Sequence, residues 1–145
     1  MPASFAGHGF RFLYPENWKL EEQATENGGS VTLQSPGTGF MFVTFDRNRP
    51  AVEDVLETTL AALRDDYPEL ESESVTEKIA SRQARGHDVQ FFSLDLVNNC
   101  WIRAFRTNRQ TILIMCQVTD WELNETEPVL RAIRASMEAT EEEKK

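Results

Sequence analysis

Residues 9–20, "GFRFLYPENWKL", combine alternating aromatic residues with a proline and a tryptophan. The aromatic residues recur at every second position, at Phe10, Phe12 and Tyr14. This spacing is typical of a β-strand with one strongly apolar face. Pro15 suits the second position of a turn, and Trp18 begins the next strand. Because aromatic side chains favour burial, we predict a core strand and a corner here, not an exposed binding platform.

The following residues predict two more strands and then a fully covered one. The second and third strands begin at Trp18 and near Val31, and Asn27–Gly29 supplies a hairpin signal between them. Residues 40–46, "FMFVTFD", are apolar at almost every position. A strand of this kind is buried on both faces, so we expect it inside the sheet.

Two segments have the 3.6-residue apolar spacing of helices. The first covers about 51–66, with Pro50 in its first turn and Pro68 after its end. The second covers about 125–137, and Asn124 and Glu127 have the spacing of a capping box.

Between these helices the sequence predicts four or five strands. Residues 71–85 indicate one polar strand or two short ones, interrupted at Gly86. Three strands then follow, at about 88–96, 100–107 and 111–118. Asn98–Asn99 and Asn108–Arg109 are typical turn residues, and we place the turns there.

The order of elements predicts an α+β fold. Short connections favour a mostly antiparallel sheet. Strands that are apolar on both faces need cover on both, so we predict a three-layer α/β/α sandwich with two main helices. We expect a flexible leader at 1–8, a single domain at 9–137 and a solvated tail at 138–145.

Composition and charge exclude several classes of function. The chain has 145 residues and a net charge of −9, whereas nucleic-acid binding needs a basic surface. No apolar run approaches the roughly 20 residues that span a bilayer. The start lacks the features of a secretory signal, so a cytoplasmic location is expected. Charge is uneven: residues 51–77 hold nine acids against Arg64, and residues 78–118 hold six bases against two acids.

The residues suited to catalysis form no constellation. The only imidazoles are His8, in the expected leader, and His87, at an expected strand entrance, where a surface or turn histidine is common. Neither lies where it could pair with Cys100 as base and nucleophile. The carboxylates have the spacings of helix surfaces and tails, and the glycine pairs lie in hairpin turns. We therefore predict no enzyme activity, no metal site and no cofactor.

The relation between the two cysteines depends on the length of one turn. A three-residue turn at 107–109 places Cys100 directly across from Cys116, whereas a two- or four-residue turn places Gln117 there. The first register gives a more uniform apolar face, and we favour it. We expect both thiols to be reduced and buried. Trp101 and Trp121 are predicted to lie in the core or at its edge.

A cluster of arginines is the remaining candidate site. Guanidinium groups suit carboxylate and phosphate, so arginines gathered at one sheet end would form an anion site. The alternative is that they balance the acidic 65–77 segment within the molecule. The arginines in question are Arg82, Arg85, Arg106 and Arg109.

The opening "FRFLYPENW" resembles the "F-x-F-x-Y/I-P-x-x-W" start of the PsbP/Mog-like superfamily. The segments "AVEDVLETTLAAL", "ARGHDVQFFSLDL" and "EPVLRAIRASM" are also similar in placement to that superfamily's helix, glycine-marked strand and closing helix. The resemblance covers about residues 9–137.

The resemblance implies an α/β/α domain that binds another protein. The superfamily includes thylakoid-lumen PsbP proteins that support photosystem II, Ran-binding nuclear import factors and bacterial DcrB-like proteins, and some related bacterial domains are chaperones for secreted effectors. None is known chiefly as an enzyme. We therefore expect a non-enzymatic protein-binding or accessory module acting through a sheet edge or one helix face. The alternative is a small-ligand or anion-binding domain that uses the arginines.

Overall fold

A computed structural model describes residues 2–140 of the chain, which form two sheets and two helices. The ten strands are Pro2–Gly7 (β1), Phe10–Pro15 (β2), Lys19–Thr25 (β3), Gly28–Gln34 (β4), Phe40–Asp46 (β5), Glu71–Ile79 (β6), Arg82–Ser93 (β7), Leu96–Arg106 (β8), Thr111–Thr119 (β9) and Glu138–Ala139 (β10). The helices are Val52–Asp66 (α1) and Leu123–Ala135 (α2), and a 3-10 turn at Asp120–Glu122 precedes α2.

The larger sheet is the central layer of the molecule. Its strands follow the order β3-β4-β5-β9-β8-β7-β6, and every neighbouring pair is antiparallel. One apolar core, with Leu56, Val89 and Ile102, lies between α1 and one face. The other core lies between the opposite face, α2 and a small sheet of order β1-β2-β10. The predicted α+β sandwich with a mostly antiparallel sheet is confirmed.

Strand β2 carries the aromatic residues that the opening stretch predicted for the core. Phe10 and Phe12 are fully buried, and Trp18 after the turn is nearly so. The Trp18 amide donates to the Pro15 carbonyl at 3.0 Å, which closes the predicted corner. Leu13, on the other face of β2, is half exposed.

The predicted flexible leader and the first residues of the predicted solvated tail pair with β2 instead. Residues 2–7 form β1, which runs antiparallel to β2 along its whole length. The Phe5 ring packs on Phe12 with 5.3 Å between ring centroids, so burial of an aromatic side chain holds the segment in place. Glu138–Ala139, predicted as part of a solvated tail, forms β10 on the other edge of β2. Residues 141–145 of that tail lie outside the described residues.

The turn between β7 and β8 does not lie at the predicted asparagines. It is formed by Leu94 and Asp95, both with positive φ, while Asn98 and Asn99 are buried inside β8. The predicted turn was wrong because the Asn99 side chain forms a hydrogen bond within the sheet. Its oxygen accepts from the side-chain amide of Gln90 at 2.8 Å. Gly86 likewise lies inside β7, where a Cβ atom would stand 1.7 Å from the Ile102 carbonyl oxygen.

The β8–β9 loop has four residues, 107–110, so the favoured three-residue register is wrong. The Thr107 amide donates to the Gln110 carbonyl at 2.8 Å, and the Thr107 hydroxyl accepts from the Gln110 amide at 3.2 Å. These bonds close a loop one residue longer than expected. Cys100 therefore pairs with Gln117, and the two free thiols lie on opposite faces of the sheet.

Helix α2 begins without the predicted capping box. It continues the preceding 3-10 turn, and its N-cap residue, Glu122, makes no side-chain cap bond. The Glu127 carboxylate instead contacts Arg131, one helical turn on. Trp121, predicted to lie in the core or at its edge, stands on the 3-10 turn and is 87% exposed.

A buried charge network fastens α2 to the sheet. Glu77 on β6 accepts from Arg103 of β8 at 2.7 Å and from Arg134 of α2 at 3.0 Å. Both arginines are almost fully buried, and Arg103 also pairs with Asp88 at 2.9 Å. Burial raises the pKa of Glu77, but hydrogen bonds from Arg134 and Arg103 outweigh it and hold that pKa below its ordinary value.

We predict that Glu77→Gln lowers the free energy of unfolding by about 2–4 kcal/mol at neutral pH, because two buried guanidinium groups lose their shared carboxylate. The depressed pKa contributes stability above about pH 4.5, and this contribution is lost as pH falls through the folded-state value. Urea unfolding at several pH values should therefore show a shallower acid dependence for the variant. Glu73→Gln, on the same strand but exposed, should change stability by less than about 0.5 kcal/mol. Equal stability of Glu77→Gln and wild type would contradict this account.

We also predict that neither thiol reacts in the native state. Burial raises the pKa of Cys100 to about 12, and it also raises that of Cys116, although Arg134 opposes the change there. A chromogenic disulfide reagent at about pH 8 should modify neither cysteine in the folded chain and both after denaturation. Rapid modification of a native thiol would show that a core is open.

Candidate binding surfaces

A largely apolar groove lies between β2 and α2. It has a volume of about 720 Å³. Its apolar lining residues are Pro2, Leu13, Tyr14, Pro15, Pro128, Val129, Ala132 and Ile133. We call this the β2–α2 groove.

The groove exists because β10 is short. Strand β10 pairs only with Phe10 and Arg11, so the rest of that edge of β2 faces α2. Ser136, after the end of α2, holds the two elements together, since its hydroxyl accepts from the Leu13 amide at 2.9 Å and donates to the Ile133 carbonyl at 2.7 Å. The backbone edge is thereby occupied, and the groove offers side-chain surface, not strand pairing.

The chemistry of the groove suits apolar side chains of a partner. Leu13 is 49% exposed, and Val129 and Ala132 present further apolar surface beside it. The only charged residue in the lining is Glu16. Such a surface gains free energy mainly by removing apolar area from water.

A second, polar cleft lies where α1 leaves β6 and β7 uncovered. It has a volume of about 460 Å³ and contains Glu53, Glu57, Ser74, Thr76, Arg85 and His87. His87 lies within β7, directly across from Ser74, and not at a strand entrance as predicted. Burial, followed by the charges of Arg64 and Arg103, lowers the pKa of His87, so its imidazole is neutral at pH 7.

The four arginines of the predicted anion site already contact other groups of the chain. The Arg85 guanidinium pairs with Glu53 of α1, and Arg106 donates to the Arg49 carbonyl. Arg82 donates to the carbonyls of Arg106, at 3.1 Å, and Ala80, at 2.7 Å.

These arginines are also divided between the two faces of the sheet. Arg85 stands on the α1 side, whereas Arg82 lies beside Met137 on the α2 side. Arg109 belongs to the β8–β9 loop, where its amide donates to the Thr107 hydroxyl. A shared anion site stays a prediction. The partner of Arg85, Glu53, lies outside the acidic 65–77 segment named in the alternative, so balance of that segment by these arginines also stays a prediction.

Sequence reasoning missed the groove and the exposure of three large apolar side chains. Leu13 carried a signal, because it falls on the face of β2 opposite the aromatic residues. Phe92, Leu94 and Trp121 are 73%, 93% and 87% exposed. Nothing in their local pattern distinguished them from core residues.

Within residues 2–140, no group of three or more metal-ligating side chains is gathered in one place. Across the same residues, neither helix has the length and apolar character needed to cross a bilayer.

Solved structures from three organisms share this fold. Cyanobacterial PsbP (CyanoP) of Synechocystis sp. PCC 6803 aligns over 95% of this chain and 92% of its own, with a TM-score of 0.71 and 11% identity. LpqN, involved in cell envelope biogenesis of Mycobacterium tuberculosis, aligns over 97% and 90%, with a TM-score of 0.62 and 10% identity. PA94 of Pseudomonas aeruginosa, a protein of unknown function, aligns over 90% and 91%, with a TM-score of 0.53 and 12% identity.

Sequence comparison adds no closer relative. No family model matches the chain, and no curated protein matches it at a significant level. Identities this low establish the fold alone. The chain has the PsbP-like fold, and the predicted resemblance to the PsbP/Mog-like superfamily is confirmed at that level.

Proposed function

We propose that this chain, with its PsbP-like fold, is a non-enzymatic accessory module that binds another protein through the β2–α2 groove. The observation that carries the proposal is an apolar groove of about 720 Å³ whose walls are fixed by Ser136 and by the network around Glu77. A rigid apolar groove with little charge is the usual setting for the apolar side chains of a helix or peptide.

The partner segment that suits the groove carries a row of apolar side chains flanked by basic residues. The net charge of this chain is −9, and the charged residue in the groove lining is acidic. Complementary charge speeds association and favours such a segment over an acidic one.

The neighbours in fold agree with an accessory role. CyanoP is a PsbP protein, and LpqN is involved in cell envelope biogenesis. The proposal retains the predicted cytoplasmic location, which cell fractionation tests directly. The envelope role of LpqN is the reason to make that measurement.

The alternative is a small anion held by Arg82, Arg85, Arg106 and Arg109. A hydrogen bond from its own backbone amide, then the bond and charge of Arg85, and last the charge of Arg106 lower the pKa of Glu53, which supports Arg85 and Arg106 as a pair that acts on one carboxylate. Any anion there would have to displace Glu53 from Arg85.

We predict that Leu13→Asp weakens partner binding at least about tenfold, or about 1.4 kcal/mol, because it places a carboxylate in the apolar groove. The partner is first captured from the source organism with the wild-type chain and identified, and the purified pair is then titrated by calorimetry. Amide NMR spectra should show that the variant retains the fold.

The matched control for this measurement is Arg106→Glu/Arg109→Glu, which leaves the groove untouched. Unchanged affinity of this control supports the groove. Loss of binding in the control with full binding by Leu13→Asp would instead favour the arginine surface and overturn the groove proposal.

A further inference from the structure

Three large apolar side chains at one end of the larger sheet are exposed to solvent. Phe92, Leu94 and Trp121 have 73%, 93% and 87% of their surface accessible. We call them the apolar tip. Single exposed apolar residues are ordinary on protein surfaces, whereas several at one place indicate an interaction site.

Strand pairing places the three residues together. Phe92 pairs with Val97 next to the turn that holds Leu94. One residue further along β8, Asn98 pairs with Thr119, which directly precedes the 3-10 turn of Trp121. The Asn99 amide donates to the Asp120 carboxylate at 3.3 Å and ties that turn to β8. With neighbouring strands about 4.8 Å apart, the tip spans three strands, from β7 across β8 to the end of β9.

Folding alone does not account for leucine at the tip. Leu94 and Asp95 have φ values of 53° and 65°, which a two-residue hairpin turn requires and which asparagine or glycine adopts more easily. A left-handed leucine is strained, because its Cβ crowds the following carbonyl oxygen. Burial of the Leu94 side chain does not offset this strain, because the side chain is exposed to solvent. Phe91 shows the contrast, because it is buried and stacks on Tyr67 at 4.0 Å between ring centroids.

The chain around the tip is acidic. Residues 67–73, 88–99 and 117–123, which form this end of β6, β7, β8 and β9, contain no lysine or arginine. Their acidic residues are Glu69, Glu71, Glu73, Asp88, Asp95, Asp120 and Glu122. Asp88 is paired with the buried Arg103, the Asp120 carboxylate accepts from the Asn99 side-chain amide, and Glu122 accepts from the Thr38 backbone amide at 3.0 Å. The remaining four, Glu69, Glu71, Glu73 and Asp95, are exposed.

We propose that the apolar tip is a second docking surface, separate from the β2–α2 groove, for a protein segment that presents apolar side chains flanked by lysine or arginine. Apolar contact supplies the affinity, and the acidic surroundings select for basic flanks and repel acidic ones. The same acids oppose contact with an anionic bilayer, so a protein is favoured over a membrane. A second copy of this chain would bring like charges together at the tip.

The proposal is tested with the full chain labelled with ¹⁵N and two synthetic helical peptides. One peptide carries leucine at the i, i+3, i+4 and i+7 spacing of a helix with lysine at the intervening positions, and the other has glutamate in place of lysine. We expect the lysine peptide to shift the amides of residues 92–96 and 120–122, with affinity falling as salt is raised. The glutamate peptide should leave them unchanged.

Leu94→Asn is the decisive variant, because asparagine tolerates the left-handed conformation and the turn is retained. It should weaken binding of the lysine peptide at least about fivefold, or about 1 kcal/mol. Ser81→Asn is the matched control, since Ser81 is exposed and also has a left-handed φ, 65° against 53° for Leu94, in the β6–β7 turn. It should bind as wild type does.

Three results would overturn the proposal. The first is peptide shifts that fall outside the tip, and the second is equal binding by Leu94→Asn and Ser81→Asn. The third is tip shifts with phosphatidylcholine/phosphatidylglycerol vesicles but not with the lysine peptide, which would assign the tip to a membrane. Shifts confined to residues around Leu13 would leave the groove intact while removing the tip, so the two proposals fail separately.

Discussion

The central strands cannot face water on either side, and the rest of the molecule is arranged around this constraint. β8 and β9 carry buried apolar residues on both faces, whereas β5 buries Met41, Val43 and Phe45 on the α2 side and leaves Phe40 and Phe42 half-buried on the other. Hydrophobic burial is the dominant favourable term in folding, so two separate covering layers are required. Helix α1 covers one face alone. The other face is covered jointly by α2 and the small sheet, and the boundary between these two covers forms the β2–α2 groove.

The spacing of apolar residues along the chain and the amino-acid composition were enough to predict the layers of the sandwich. The alternation of Phe10 and Phe12 and the helical spacing from Val52 onward describe interactions between near neighbours in the chain, which single-residue patterns record well. The features that were mispredicted depend on which residues pair with each other, and the pattern of single residues does not record this. Asn99 looks like a turn residue until Gln90 is placed beside it, and the β8–β9 register follows from hydrogen bonds inside one loop. The exposure of Trp121 depends on where α2 begins, which no local signal marked.

The candidate surfaces were predicted less well than the fold for the same reason. A groove is formed by two elements more than 100 residues apart, here β2 and α2, and its existence depends on the shortness of β10. The four arginines were grouped by their positions along predicted strands. Arg82 is separated from Arg85 because positions an odd number of residues apart on one strand point to opposite faces.

The pairing of both outer strands with β2 has a mechanical consequence. Strand β1 starts at Pro2 beside Pro15, at one end of β2, while β10 finishes at Ala139 beside Phe10, at the other end. A force pulling residues 2 and 139 apart is thus directed along the length of β2. The bonds between the strands then bear that load together instead of opening one after another. Strand β2 joins the two ends of the described chain by hydrogen bonds to β1 and β10. Tension between these ends must therefore shear the small sheet before the central sheet bears any load.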